Sequence, residues 1–207
     1  MVNLKVPNRR IGLSASLFAL LVLSLILAWL DITGFSSYDL EFLGAKALEA
    51  QNGAEPRYRA IVSIFPPVLV YATLILGSSV SLQVILGAIL IGLLTWQIRN
   101  LPQAKIWQSI WLALIVLNPA FGLMLLRSPA WVTVTIFLSL QMRLFWTLNQ
   151  QKTSTSLPST LALVLLGLGL APLMLLRYEA WFILPLVALV LARLFPDESW
   201  GFRFTAI

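Results

Sequence analysis

The sequence predicts an all-α polytopic membrane protein, a bundle of about six transmembrane helices with an outer helical loop. Three observations lead to this fold class. Of the 207 residues, 59% are hydrophobic and only 11% are charged, whereas soluble domains carry roughly 25% charged residues. Apolar stretches recur that approach the roughly 20 residues needed to cross a hydrocarbon core. Clusters of Pro, Asn and Ser, which end helices, separate these stretches.

Six apolar segments are long enough to be predicted as spans. The first, residues 11–30, exceeds the apolar part of a typical signal peptide and has no clear cleavage site after it, so we expect it to remain. The others are 80–98, 106–126, 130–148, 160–176 and 180–194. Segment 61–77 is apolar too, but Pro66-Pro67 leave only about ten residues of good helix. We expect this segment to lie in the interface or to re-enter instead of crossing.

The distribution of Lys and Arg favours this count of spans, because positive charges concentrate in cytoplasmic loops. With a cytoplasmic N-terminus and no crossing by 61–77, nine of the 14 basic residues lie inside and five outside. If 61–77 crossed, this bias would reverse. We therefore predict one transmembrane domain over 1–207, with both termini in the cytoplasm. Its parts are cytoplasmic tails at 1–10 and 196–207, an outer loop with interfacial helices at 31–79 and a five-span bundle at 80–195.

Composition also limits the chemistry. The net charge of +6 is explained by membrane topology, so no nucleic-acid partner is expected, and the lipid bilayer is the first partner. The 207 residues contain no Cys and no His, which excludes thiolate sites and the commonest general base from this sequence. Any proton transfer therefore depends on a carboxylate, Lys, Tyr or the substrate itself.

The outer loop contains the clearest amphipathic pattern, over residues 39–51. If this segment is helical, one side carries mainly apolar residues and the opposite side carries charged ones, as in a helix that lies in the membrane interface. The apolar side consists of Leu40, Leu43, Gly44, Ala47, Leu48 and Ala50, and the charged side of Asp39, Glu41, Lys46 and Glu49. Gly53 is a suitable residue to end the helix.

Asp39 and Glu41 are the first candidate catalytic residues. An Asp-x-Glu pair can supply a general base or bind a divalent cation such as Mg²⁺ or Mn²⁺, with Asp39 the possible metal ligand. Residues two apart do not face each other on a regular helix, which argues against one shared role. Two alternatives stay open: Asp39 caps the helix, since Ser36-x-x-Asp39 is nearly a capping box, and Glu41 lies on a solvated face.

Arginines near the predicted outer face are candidate ligands for a phosphate. Arg57 and Arg59 flank Tyr58 just before the Pro66-Pro67 break, and they either hold a lipid phosphate or anchor the chain in the interface. Arg127 ends an apolar run, where it either completes a site or interacts with the helix dipole. Arg177 ends another such run.

Glu179, two residues after Arg177, is the predicted partner of that arginine. The two side chains could pair at a break between helices, and ionisable groups at membrane depth indicate a functional site by default. Glu179 and Tyr58 are therefore interpreted as supporting residues of the predicted site.

The order of these features resembles the N-terminal half of the GT-C superfamily of glycosyltransferases, which use polyprenyl-phosphate sugars. The resemblance covers about residues 30–195. It lies in an acid in the first outer loop, an aromatic-Pro-Pro element (Phe65-Pro66-Pro67), an Asn-Pro span (Asn118-Pro119) and a final Arg177-Tyr178-Glu179-Ala180 turn. The resemblance implies that Asp39 is the catalytic or metal-binding acid and that the arginines hold the phosphate of the donor.

Three functions remain open from the sequence. The first is transfer of a sugar from a polyprenyl-phosphate donor at the outer face of the membrane. The second is a non-catalytic accessory or structural subunit, bound to other membrane subunits, because members of the superfamily are typically longer and some carry a second Asp where this chain has Ser128. The third, a transporter component, is disfavoured because charges within the predicted spans are scarce.

Overall fold

The structure is a computed structural model that describes residues 9–52, 67–101 and 103–151. These residues are all-helical, as predicted, and contain no strand. The helices are α1 (Arg9–Ile32), α2 (Tyr38–Asn52), α3 (Pro67–Leu76), α4 (Ser79–Arg99), α5 (Lys105–Val116), α6 (Pro119–Arg127) and α7 (Pro129–Gln151). The predicted spans 160–176 and 180–194 lie outside the described residues.

Two of the described helices are long and apolar enough to cross a membrane. They are α1, over residues 10–32, and α4, which contain the predicted spans 11–30 and 80–98. A third crossing results if α5 and α6 are counted as one bent span. Helix α7 has 23 residues, but Gln141 and Arg143 interrupt its apolar sequence. It is therefore less apolar than α1 and α4 and is not a candidate span by this measure. The described part of the chain therefore has two or three candidate membrane-spanning helices.

Helices α1 and α4 pack closely because small residues face each other between them. A Cβ added to Gly92 of α4 would lie 2.8 Å from the backbone oxygen of Gly12 in α1, closer than a real Cβ approaches. Such small residues let membrane helices approach each other. The Ser16 hydroxyl donates a hydrogen bond to the Ala88 backbone oxygen at 3.0 Å. The core beside this contact consists of Leu23, Leu27, Val84, Leu90, Leu125 and Val132.

Helix α2 confirms the predicted amphipathic helix with bounds one residue wider at each end. Its buried residues are Leu40, Leu43, Ala47 and Ala50, all from the predicted apolar side. Leu48 differs, since it is 60% exposed. On the charged side, Lys46 and Glu49 form an ion pair at 2.6 Å.

Helix α3 begins at the predicted proline break. It has ten residues, from Pro67 to Leu76, which is about half the length needed to span the hydrocarbon core. Gly77 ends it with a φ of 73°, a conformation that glycine adopts without the steric cost of a Cβ. Ser78 then caps α4 by accepting hydrogen bonds from the backbone N–H groups of Val80 and Ser81.

The predicted span 106–126 consists of two helices, α5 and α6, which pass as one span only when the bent pair is taken together and which meet at an angle of 58°. The break has a local cause. Pro119 has no N–H group to continue the hydrogen bonds of α5, and the Asn118 side chain starts a new helix by accepting from the backbone N–H of Ala120 at 2.9 Å.

Residues up to Ile136 belong to one compact unit, which contains the candidate site, and a second unit begins at Phe137.

Candidate functional site

The site begins in the connection between α1 and α2, where two serines adjoin the start of α2. The Ser37 backbone oxygen accepts the N–H groups of Leu40 and Glu41 at 3.0 Å each, so Ser37 starts the helix. The Ser36 hydroxyl donates to the Glu41 carboxylate. These contacts fix the first turn of α2, which carries Asp39.

A second element, the junction of α6 and α7, is hydrogen-bonded to this turn. The buried Ser128 hydroxyl donates to the Asp39 carboxylate at 2.6 Å. The buried Ser37 hydroxyl donates to the Arg127 backbone oxygen, also at 2.6 Å. Two hydrogen bonds thus join segments that are about 90 residues apart in sequence, and they hold Asp39 beside the end of α6.

Asp39 and Arg127 line the same cavity, whose volume is about 320 Å³. Its other lining residues, Ser36, Ser37 and Tyr38, all carry hydroxyl groups. The exposed Arg127 guanidinium lies over the Phe35 ring, 5.2 Å from the centroid. It forms no ion pair with the residues that the structure describes. The cavity therefore combines one half-buried carboxylate, a guanidinium and the Tyr38 hydroxyl, while the hydroxyls of Ser36 and Ser37 already donate to Glu41 and to the Arg127 backbone.

A second, more apolar cavity of about 400 Å³ adjoins the polar cavity at the same serines. Ser36 and Ser37 line both cavities. Asp31 and Glu41 supply its carboxylates. Its apolar lining includes Leu27, Leu30, Leu40, Leu48, Val80 and Leu126. The two serines thus line both a polar cavity and a mainly apolar one.

The structure places three of the predicted site residues. It brings Asp39 and Arg127 to one cavity and Glu41 to the other, in agreement with the expectation that residues two apart on a helix diverge. The predicted residues Arg57, Tyr58, Arg59, Arg177 and Glu179 lie outside the described residues.

Sequence reasoning missed the serines as members of the site. The sequence indicated Ser128 as the cap of a helix that starts with Pro129. In the structure its hydroxyl donates to Asp39, a residue of a different helix. No spacing in the sequence reports a contact between positions 128 and 39.

A divalent cation does not have a protein-built site in the described part of the chain. No group of three or more acidic side chains comes together there. Asp39 is tied to Ser128, and Glu41 is tied to Ser36 and lines the other cavity. The two carboxylates therefore do not converge on one cation, although Mg²⁺ is commonly held by a single carboxylate together with waters and the phosphate oxygens of a substrate.

The arrangement of the polar cavity is suited to holding an anion beside a base. A guanidinium binds phosphate through charge-assisted hydrogen bonds, and an adjacent carboxylate can accept a proton.

Compared with known families, curated proteins and solved structures, the chain shows no significant match.

Proposed function

We propose that this chain is a multi-pass membrane glycosyltransferase that transfers a sugar from a polyprenyl-phosphate donor at the outer membrane face. In this proposal the chain crosses six times, both termini are cytoplasmic and residues 31–79 form the functional outer loop. The observation that carries the proposal is the cavity shared by Asp39 and Arg127. A carboxylate and a guanidinium in one cavity are the two groups that this transfer needs most.

The proposed reaction is one displacement at the anomeric carbon of the donor. An acceptor hydroxyl forms a new C–O bond to that carbon, and its proton passes to the Asp39 carboxylate. The bond between the anomeric carbon and the phosphate oxygen breaks, and the polyprenyl phosphate leaves with the electron pair. Arg127 stabilises the negative charge that develops on the leaving phosphate.

One hydroxyl group supports the phosphate in this proposal. The Tyr38 hydroxyl lines the cavity beside Arg127 and can donate to a phosphate oxygen, whereas the hydroxyls of Ser36 and Ser37 already donate to Glu41 and to the Arg127 backbone. Ser128 keeps the Asp39 carboxylate in place through its 2.6 Å hydrogen bond. Arg57, Arg59 and Arg177 are proposed as further phosphate ligands, supported by Tyr58 and Glu179.

The apolar part of the donor requires a path that avoids water. The neighbouring 400 Å³ cavity, with leucines from α1 and α2 in its wall, adjoins the polar cavity at Ser36 and Ser37. Burial of apolar surface favours binding by about 25 cal/mol per Å². This juxtaposition supports a donor whose head group and chain are bound in two adjoining cavities.

The substitution Asp39→Asn tests the proposal, because an amide keeps the shape of the carboxylate but cannot act as a base. Purified protein in lipid nanodiscs is given polyprenyl-phosphate hexoses that are radiolabelled in the sugar, with a membrane lipid extract as acceptor, and transfer of the label to the acceptor is measured. We expect Asp39→Asn to lower the turnover rate by about 10²–10⁴-fold, the usual contribution of a general base.

Glu49→Gln is the control, since Glu49 is an exposed acid of α2 that lines neither the polar cavity nor the neighbouring one. It should keep turnover within about threefold of the parent, as expected for a group that takes no part in the proton transfer. Equal turnover of Asp39→Asn and the parent removes Asp39 from the mechanism. Absence of turnover in the parent itself, with the protein folded, rejects the transferase and favours an accessory subunit.

A further inference from the structure

The end of α6 is held by a buried glutamine from another helix. Gln83 lies in α4 and is fully buried. Its side-chain Nε2 donates to the backbone oxygens of Leu125 at 2.6 Å and Met124 at 3.2 Å. The last carbonyl groups of a helix lack partners within that helix, and in a membrane they need partners from elsewhere in the protein. The Met124 oxygen also accepts the Ser128 backbone N–H at 3.2 Å.

The orientation of this amide follows from its neighbours. Both nearby atoms are carbonyl oxygens, which only accept hydrogen bonds, so the NH₂ group must point towards them. The Gln83 Oε1 atom is buried and has no hydrogen-bond partner in the described part of the chain. Burying an unsatisfied acceptor is unfavourable. A Met of similar size would avoid this cost but would donate nothing to α6.

The turn that Gln83 holds leads directly into the site. Two residues after Leu125, the Arg127 backbone oxygen accepts from Ser37, and next to it the Ser128 hydroxyl donates to Asp39. The end of α6 is thus hydrogen-bonded on one side to α4 and on the other side to the start of α2. Hydrogen bonds to two different helices therefore meet at the last turn of α6 and the residue after it.

We propose that Gln83 is a positioning residue, which fixes the last turn of α6 so that Arg127 and Ser128 meet Asp39 in one cavity. Gln83 does not line that cavity and acts through the backbone of α6. Its effect on catalysis rests on the proposed function, whereas its effect on the position of α6 does not.

Gln108 provides a matched control for the loss of a buried amide. It is also buried, and its Nε2 donates to the backbone oxygens of Leu101 at 3.0 Å and Gln103 at 3.2 Å. These acceptors lie in the connection between α4 and α5 and do not line the polar cavity. Gln83→Met and Gln108→Met therefore remove similar hydrogen bonds at two different places.

The test measures the distance between α2 and α6. The chain has no native Cys, so Leu48→Cys and Leu123→Cys, at positions 60% and 50% exposed, can be spin-labelled selectively. We expect one narrow distance distribution for this labelled parent in nanodiscs by pulsed electron paramagnetic resonance. Gln83→Met should broaden it about twofold or shift its maximum, because the end of α6 loses its support. Gln108→Met should leave it unchanged.

A Gln83→Met distribution equal to that of the labelled parent overturns the proposal, and so does equal broadening by both glutamine variants. If Gln83→Met does not fold, Gln83→Asn is measured in its place. It keeps the amide but shortens the side chain by one methylene, so it should also broaden the distribution, and a result identical to the parent overturns the proposal.

Turnover of the unlabelled protein separates positioning from stability. A misplacement of about 1 Å in an active site costs on the order of 10²-fold in rate. We expect Gln83→Met to lower kcat by at least about tenfold and Gln108→Met by less than about twofold, although both lose thermal stability. Equal loss of kcat in the two variants contradicts positioning. A parent without turnover rejects the proposed function, but the distance measurement still decides the role of Gln83.

Discussion

At the scale of single residues, the site depends on hydrogen bonds between groups that are distant in sequence. Asp39 is suited to work as a base because Ser128 fixes one of its oxygens while the carboxylate remains half-buried. Arg127 has its backbone held by Ser37 and its guanidinium placed over Phe35. The backbone and the side chain of this arginine are therefore positioned by different neighbours.

Substitution of Ser128 tests the bond to Asp39. A hydrogen bond to a charged group contributes about 1.5–3 kcal/mol to stability, so Ser128→Ala should lower the free energy of unfolding by about this amount. Ser109→Ala is the control, because its exposed hydroxyl donates only to the Lys105 oxygen of its own helix, and it should change stability by less than about 0.5 kcal/mol. Denaturant titration in mixed micelles compares the two, and equal losses contradict a special role for Ser128.

At the scale of elements, the positions of helices could be predicted from residues that are neighbours in sequence, but the angle between two helices could not. The pattern of 39–51 predicted α2, and Pro66-Pro67 predicted a short helix after them, because both depend on neighbours in sequence. Segment 106–126 was predicted as one span because it is largely apolar, and Pro119 within it indicates a kink. The 58° bend arises where Asn118 and Pro119 together start a new helix, and an Asn-Pro pair alone does not give the angle.

The cap at Asn118 gives a prediction for this bend. Asn118→Ala removes the acceptor for the first N–H groups of α6 and should lower stability by about 0.5–2 kcal/mol. Asn118→Ser keeps a capping oxygen and should retain most of the stability. Thermal unfolding of both variants in the same detergent measures the difference. If the Ala and Ser variants lose the same amount, the side-chain cap does not stabilise the bend.

At the scale of the whole molecule, two or three candidate crossings are described and six are proposed. The sequence could predict the helical class from composition alone, because a bilayer leaves few other ways to satisfy the backbone. It could not predict the Asp39–Ser128 and Ser37–Arg127 contacts, which form only when α2 and α6 meet. For this reason the acid and the arginine were recognised as candidates, but the serines were missed.

Cysteine labelling tests the proposed topology, since no native thiol interferes. Thr33 is exposed and lies in the predicted outer loop. Gln103 is also exposed and lies in the predicted first cytoplasmic turn. A membrane-impermeant maleimide should label Thr33→Cys in intact cells, whereas it should label Gln103→Cys only after permeabilisation. Labelling of both positions in intact cells contradicts the six-span arrangement.

The central claim is that the cavity of Asp39 and Arg127 binds the phosphate of a lipid, and the most direct test is the affinity for polyprenyl monophosphate. Native mass spectrometry of the protein in nanodiscs measures this affinity without any assumption about the sugar. Arg127→Gln should weaken binding at least about tenfold, since loss of a charge-assisted hydrogen bond removes about 1.5–3 kcal/mol. Arg99→Gln, at the end of α4, should stay within about twofold of the parent. Equal binding by the Arg127→Gln variant and the parent would contradict the account.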